Sequence, residues 1–196
     1  DLTINAATTT GGYRGIDAIN LGTGDLTITA GTTKTTADGD FTSQVEGNEI
    51  TIINSGISAI NSAASTGDLT INAAETEGGG AGIQATNKGN GALSITTTGT
   101  TTGTTKDGIY AYNKSTGTSL TINAATTTGG DDGIQARNSG TGALSITTTG
   151  ATTGGTGGDG IWAYNSSAGI SLTINAATTT GGDDGIVATN KGTGAL

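Results

Sequence analysis

The sequence contains no Cys, Pro, Met or His, and aromatic residues make up only 3% of it. The absence of Cys excludes disulfides, although it names no compartment. Basic residues are scarce as well: 7 Lys and Arg stand against 16 acids, a net charge of -9 with no run of like charge. A nucleic-acid partner is thereby disfavoured, because no basic run is present to neutralise phosphates. No apolar stretch approaches the length of a membrane-spanning helix, so no direct membrane span is expected. There is no signal peptide, sorting motif or initiating Met. Hydrophobic residues reach 32%, too few for one wide globular core. A thin core repeated along a rod needs less apolar material per residue.

What the chain has in abundance is Gly, at 37 positions, and still more Thr. Such a composition also suits a disordered linker. That reading fails because Leu, Ile and Ala recur at fixed positions. One phrase, Leu-Thr/Ser-Ile, starts at Leu2, Leu26, Leu69, Leu93, Leu120, Leu144 and Leu172, with Ile50-Thr51-Ile52 as a variant. A second, Gly-Ile-x-Ala-x-Asn, starts at Gly15, Gly56, Gly82, Gly108, Gly133, Gly160 and Gly185, with a decayed copy near Phe41. Most steps from one first phrase to the next are 24 residues, and a second-order period of about two coils alternates Leu-Thr-Ile-Asn-Ala-Ala with Leu-Ser-Ile-Thr-Thr-Thr.

Both phrases alternate apolar and polar residues, the period of a half-buried strand. Leu120 and Ile122 are expected to point inward with Thr121 outward, and Ile134, Ala136 and Asn138 inward with Gln135 and Arg137 outward. A third strand is expected in the Thr-rich stretch, as at 126–128. Copies this short and this rich in Thr and Ile favour strand over a β/α repeat. The pattern therefore predicts an all-β fold, a right-handed parallel β-helix (β-solenoid) of about eight coils of ~24 residues. It runs through residues 1–196 as one segment, with residues 37–55 as an irregular coil. Both ends read as cut from a longer array. One coil buries too few apolar side chains to offset the entropy of ordering its residues, so stability has to come from stacking.

Asn20, Asn61, Asn87, Asn113, Asn138, Asn165 and Asn190 all close the second phrase. They are expected to form a structural ladder, since Asn suits sharp corners and its amide can bond to the copies above and below.

The two phrases, with their Gly-Thr-Gly-Ala and Thr-Thr-Thr-Gly spacers, resemble the β-helical passenger domains of bacterial autotransporters and related surface adhesins. The resemblance lies in the style of the repeat and spans the whole chain. It implies a right-handed parallel β-helix displayed on the bacterial outer surface, extracellular, acting as an adhesive or scaffolding stalk. The implied partners are a host or neighbouring-cell surface, through a glycan or a protein.

Several motifs carry competing chemical readings. Residues 154–161, Gly-Gly-Thr-Gly-Gly-Asp-Gly-Ile, fit one copy of a nonapeptide calcium repeat, but that chemistry needs successive nine-residue half-coils. A Gly-rich turn fits better. Asp107, Asp132, Asp159 and Asp184 precede the second phrase and should stack in one column, with Asp131 and Asp183 beside two of them. Like charges at that spacing repel, so either a cation bridges them or the carboxylates splay into water; the second is favoured. Paired acids on a β-helix also suit polysaccharide hydrolysis. Here the pairs are repeat copies without His or clustered basic residues, so no enzymatic activity and no cofactor are expected. Outward Thr rows raise an ice-binding reading, weakened by interrupted rows and variable coil lengths.

The outward x positions of Gly-Ile-x-Ala-x-Asn vary while their frame does not. Four of the six aromatics, Tyr110, Tyr112, Trp162 and Tyr164, fall there, in alternate coils around Arg137. They form the candidate contact surface, against the plainer role of cross-strand packing. The sequence thus points to a non-catalytic stalk of a surface or secreted protein. The alternative is a subunit of an extracellular filament, self-associating end to end or laterally through open strand edges.

Overall fold

The structure is a computed structural model describing residues 1–37, 41–45, 48–52, 54–114 and 116–196, with backbone alone for 41–45 and 48–52. It is a parallel β-solenoid of seven turns, with no helix among the described residues. The first phrase and the Thr-rich stretch after it build one sheet. Its rungs are Leu2–Gly11, Leu26–Thr35, Leu69–Gly78, Leu93–Thr97 continued by Thr100–Gly103, Leu120–Ala124 continued by Thr126–Thr128, Leu144–Thr153 and Leu172–Thr180. The second phrase builds the other, from Arg14–Asn20, Ser55–Asn61, Ile83–Asn87, Ile109–Asn113, Ile134–Asn138, Ile161–Asn165 and Ile186–Asn190. At the usual strand spacing the seven rungs extend about 30 Å along the axis.

Register is fixed by the phrases themselves. Leu pairs with Leu and Ile with Ile from Leu2↔Leu26 through Leu144↔Leu172. In the second sheet the Ile, Ala and Asn of each copy lie on those of the next. A slip of one residue would turn the apolar set to solvent, so the alternation enforces the pairing. Within the stack, Leu26, Ile28, Ile57, Leu69, Ile83, Leu120, Ile122 and Ile134 are fully buried. The inward assignments of Leu120, Ile122, Ile134, Ala136 and Asn138 hold, as do the outward ones of Thr121, Gln135 and Arg137.

The eighth coil does not form. Leu26 pairs directly with Leu69, and the stretch between contributes a two-stranded antiparallel hairpin, Phe41–Val45 with Asn48–Ile52. Ile50-Thr51-Ile52 thus belongs to a hairpin and not to the parallel sheet. A rung needs both phrases, and no Gly-Ile-x-Ala-x-Asn copy stands between Leu26 and Ile50 to supply the opposite wall. The alternating residues there fold back on each other at a corner of the second turn. Of the stretch 37–55, residues 38–40, 46–47 and 53 lie outside the described ones.

Two polar ladders run inside the solenoid, and they differ in how they are satisfied. The Asn side chains bond from coil to coil: Nδ2 of Asn20, Asn87, Asn113, Asn138 and Asn165 donates to Oδ1 of Asn61, Asn113, Asn138, Asn165 and Asn190, at 2.8–3.0 Å. The other amide hydrogen goes to a carbonyl a few residues on, such as Gly142 O for Asn138, and Oδ1 also receives the Gly140 N–H. Asn138 therefore satisfies its amide completely, which is what burial of that group requires.

The second ladder is Thr9–Thr33–Thr76–Thr101–Thr127–Thr152–Thr179, the central residue of each Thr stretch, stacked in register. Thr76, Thr101, Thr127 and Thr152 are fully buried, and their hydroxyls have no hydrogen-bond partner. Their methyl groups explain their presence. A Cβ at Gly108 would lie 2.5 Å from Thr127 Cγ2 and 2.6 Å from the Gly133 carbonyl oxygen. Gly82 and Gly133 face Thr101 and Thr152 in the same way. Gly opens the second phrase because the corner leaves no room for a side chain, and the Thr methyl occupies the space. Of the described glycines only Gly157 has a positive φ, 84°, so crowding between coils accounts for much of the Gly content.

Two stability outcomes follow. Ala136 is fully buried and stacked between Ala111 and Ala163. Ala136→Leu should overpack this wall and lower unfolding stability by about 1–3 kcal/mol in urea denaturation; an unchanged midpoint would contradict the inward placement. Thr127→Val keeps the shape and removes a desolvated hydroxyl, so it should raise stability by about 1 kcal/mol. A loss of stability would show that the hydroxyl has a partner in solution.

Candidate functional site

Outward columns on the second sheet carry the variation that the interior forbids. One column reads Asp17, Ser58, Gln84, Tyr110, Gln135, Trp162, Val187, with Ser58 buried; the other reads Ile19, Ile60, Thr86, Tyr112, Arg137, Tyr164, Thr189. The candidate contact residues are brought together as the repeat implied. Arg137 lies between two rings, its guanidinium carbon 5.3 Å from the centroid of Tyr112 and 5.4 Å from that of Tyr164. Trp162 and Tyr164, two apart on one strand, stack with centroids 6.1 Å apart and planes 10° from parallel. Each exposed cation–π contact contributes about 0.5–1 kcal/mol, enough to hold the side chains in a common arrangement. Arg137 is exposed and the four rings are half-buried, so the patch stays open to solvent.

The two edges of this face carry opposite charge. Lys88, Lys114 and Lys191 directly follow the ladder Asn, and their backbone N–H groups bond to the Asn carbonyl one coil away. With Arg137 they place four of the seven basic residues along one side. Lys114 and Lys191 also lie over the rings of Tyr112 and Tyr164, at 5.8 and 5.5 Å. The strip forms no charge run in the sequence because its members are about one or two coils apart. Stacking alone makes them neighbours.

The opposite edge carries the Asp column. In it Asp107, Asp132 and Asp159 each reach the next coil, whereas Asp184 at the end of the column is exposed. Oδ1 of Asp107, Asp132 and Asp159 accepts the backbone N–H of Asp132, Asp159 and Asp184, at 3.2, 2.8 and 3.1 Å. Asp1, Asp25 and Asp68 do the same at another corner, toward the N–H of Asp25, Asp68 and Ala92. Such bonds stabilise the charged form and suspend each carboxylate in the ladder. Asp107 and Asp132 are buried, with 7% and 8% exposure, contrary to the solvated placement expected for turn acids. The turn at 154–160 is closed by backbone bonds, Gly158 N–H to Gly155 O and Gly155 N–H to Asp131 O. Among the described residues no three acidic side chains are grouped to hold a metal ion.

The outward Thr rows on the first sheet flank the buried Thr ladder. They are interrupted by Lys34, Glu75 and Glu77, with Lys34 Nζ 3.0 Å from Glu77 and 3.7 Å from Glu75, and by Ala151. That face is a hydroxyl grid over only part of its length.

Beside Tyr110 the acidic edge opens into a pocket of about 320 Å³, walled by Gln84, Tyr110 and Gln135 from three successive rungs and by Lys106, Asp107 and Asp131 from the turns. Neither glutamine stood out in the sequence, since only the register places them on either side of Tyr110. Burial pushes the Asp107 carboxyl up to about 7, with the negative charges of Asp132 and Asp131 adding and the Asp132 N–H and Lys106 opposing. Asp159 is raised too, by desolvation first.

Compared with protein-family models, curated protein sequences and solved structures, the chain matches none of them.

The pH dependence of stability follows from Asp107. Its folded-state value lies above the ordinary 3.8, so between about 4 and 7 the folded chain holds a proton that the unfolded chain has released. Stability should be highest below this window and fall as pH rises through it. Asp107→Asn preserves an oxygen for the Asp132 N–H. It should raise the urea midpoint at pH 8 and flatten the decline between pH 4 and 7. An equally steep decline in the variant would assign the effect to other carboxylates.

Proposed function

We propose that this solenoid is a non-catalytic stalk and contact segment of a bacterial cell-surface or secreted protein. It spans distance as a stacked rod and adheres to a host or neighbouring-cell surface through the aromatic and Arg patch of its second sheet. One observation carries the reading: Tyr110, Tyr112, Arg137, Trp162 and Tyr164 gather on an outward face whose fold does not require them. Other rungs place Ser58, Thr86, Val187 and Thr189 in the same columns with the same register. Large rings beside cations, partly exposed, are the composition of contact hot spots. The repeat style shared with autotransporter passengers supports display outside the cell. A non-catalytic role is supported by the absence of His and Cys and by the engagement of the stacked carboxylates with backbone amides.

Replacing Tyr110, Tyr112, Trp162 and Tyr164 together by Thr tests this. The variant should keep the circular dichroism of a β-solenoid. Beads coated with it should be retained on epithelial or bacterial cell layers several-fold less than beads carrying the parent, as expected for the loss of a hot-spot cluster. Equal retention of a folded variant would remove the patch as the adhesive element. Unfolding would show that the rings serve packing.

A further inference from the structure

We infer that the pocket beside Tyr110 is a binding site for an uncharged pyranose, a single neutral sugar residue of a glycan. The inference goes beyond the contact patch, with which the pocket shares only Tyr110. The pocket is concave where the rest of the face is open, and its 320 Å³ lies at the small end of ligand sites. Its walls are of two kinds. Tyr110 supplies an aromatic ring, against which the C–H face of a pyranose packs through apolar contact. Gln84 and Gln135, in register on either side of it, each present an amide that both donates and accepts. Sugar hydroxyls also donate and accept, so paired amides and carboxylates match them.

Asp107 is the second, independent indication of a ligand. Asp107 is only 7% exposed, yet it lines the pocket, and its Oδ1 accepts the Asp132 N–H. The carboxyl group keeps further acceptor capacity toward the pocket. A hydroxyl arriving there would satisfy it. Gln135 is already oriented, its Nε2 donating to Asp132 Oδ2 at 3.0 Å, which turns its carbonyl oxygen toward other donors. Asp131 completes the turn-side wall. Above pH 7, where Asp107 is charged, two acidic side chains against the single Lys106 make the site unfavourable for a sugar carrying its own carboxylate. The ligand class is therefore neutral.

The test is a titration of the ¹⁵N-labelled chain at pH 8 with methyl glucopyranoside, methyl galactopyranoside and methyl mannopyranoside, and with methyl glucuronide as the charged arm. At least one neutral glycoside should shift the side-chain amide signals of Gln84 and Gln135 saturably, with Kd of about 1 mM or a few-fold weaker, as suits one small ring. The glucuronide should bind at least about ten-fold more weakly. Tyr110→Gln installs the residue found on both neighbouring rungs and should weaken binding by about ten-fold or more. If that variant does not fold, Gln135→Ser, which introduces the side chain that Ser58 carries in the same column, should weaken binding in its place. Trp162→Thr and Tyr164→Thr, which remove the adhesive patch outside the pocket, should leave sugar binding unchanged. Loss of cell retention and loss of sugar binding thus report on different proposals. The inference is overturned if none of the three neutral glycosides shifts these amides at about 100 mM. It is equally overturned if the shifts survive the pocket variants, or if the glucuronide binds as well as its neutral counterpart.

Discussion

Everything in this molecule depends on identical groups lying one strand spacing apart. A parallel ladder in strict register sets each side chain on its own copy in the next coil, about 4.8 Å away. An apolar residue gains from this twice, since it is shielded by the coils above and below as well as by the opposite wall. A coil by itself has neither shield and cannot offset the entropy of its own ordering, so folding is a property of the stack. Crowding at the corners follows from the same spacing. The Gly that opens the second phrase meets the carbonyl of the next Gly at a distance no Cβ could occupy.

Stacking treats polar groups according to their capacity for self-pairing. An amide carries both donors and an acceptor, so a column of Asn bonds to itself and still serves the local corner. A carboxylate cannot pair with its copy. Here it is displaced onto the next coil's backbone N–H, which keeps like charges apart while tying coils together. A hydroxyl on a β-branched side chain is too short to reach its copy, and the buried Thr column leaves the oxygens of Thr76, Thr101, Thr127 and Thr152 unpaired. Its stability rests on the methyl packed against Gly. One spacing thus yields a satisfied ladder, a displaced one and a frustrated one.

The outer surface is where register becomes a means of recognition. Residues about 25 positions apart become lateral neighbours, so a Tyr in one coil, an Arg in the next and a Tyr in the third form one continuous stack. Lysines that follow the ladder Asn form a basic edge, and turn aspartates form an acidic one. A rod that is net acidic can therefore present a locally cationic, aromatic face, and a pocket can be assembled from three rungs that each contribute one side chain.

Much of this was legible from sequence because alternation is local. Leu120 and Ile122 inward, Gln135 and Arg137 outward, the Asn column and the clustering of Tyr110, Tyr112, Trp162 and Tyr164 all follow from a period of two within a phrase and identity between phrases. The Thr stretch read as a third strand, whereas in five of the seven rungs it continues the first, and its polarity was not legible. In a run of identical residues alternation is invisible, and only packing against Gly82, Gly108 and Gly133 turned the central Thr inward. The number of turns was likewise a tertiary matter. Residues 41–52 carry strand-like alternation, yet without an opposing second phrase Phe41–Val45 paired antiparallel with Asn48–Ile52 while Leu26 stacked directly on Leu69. The burial of Asp107 and Asp132, the Lys edge and the pocket between Gln84 and Gln135 were decided the same way. Each depends on which coil lies next to which and how closely, whereas the sequence by itself determined the repeat, the strand faces and the identity of what is stacked.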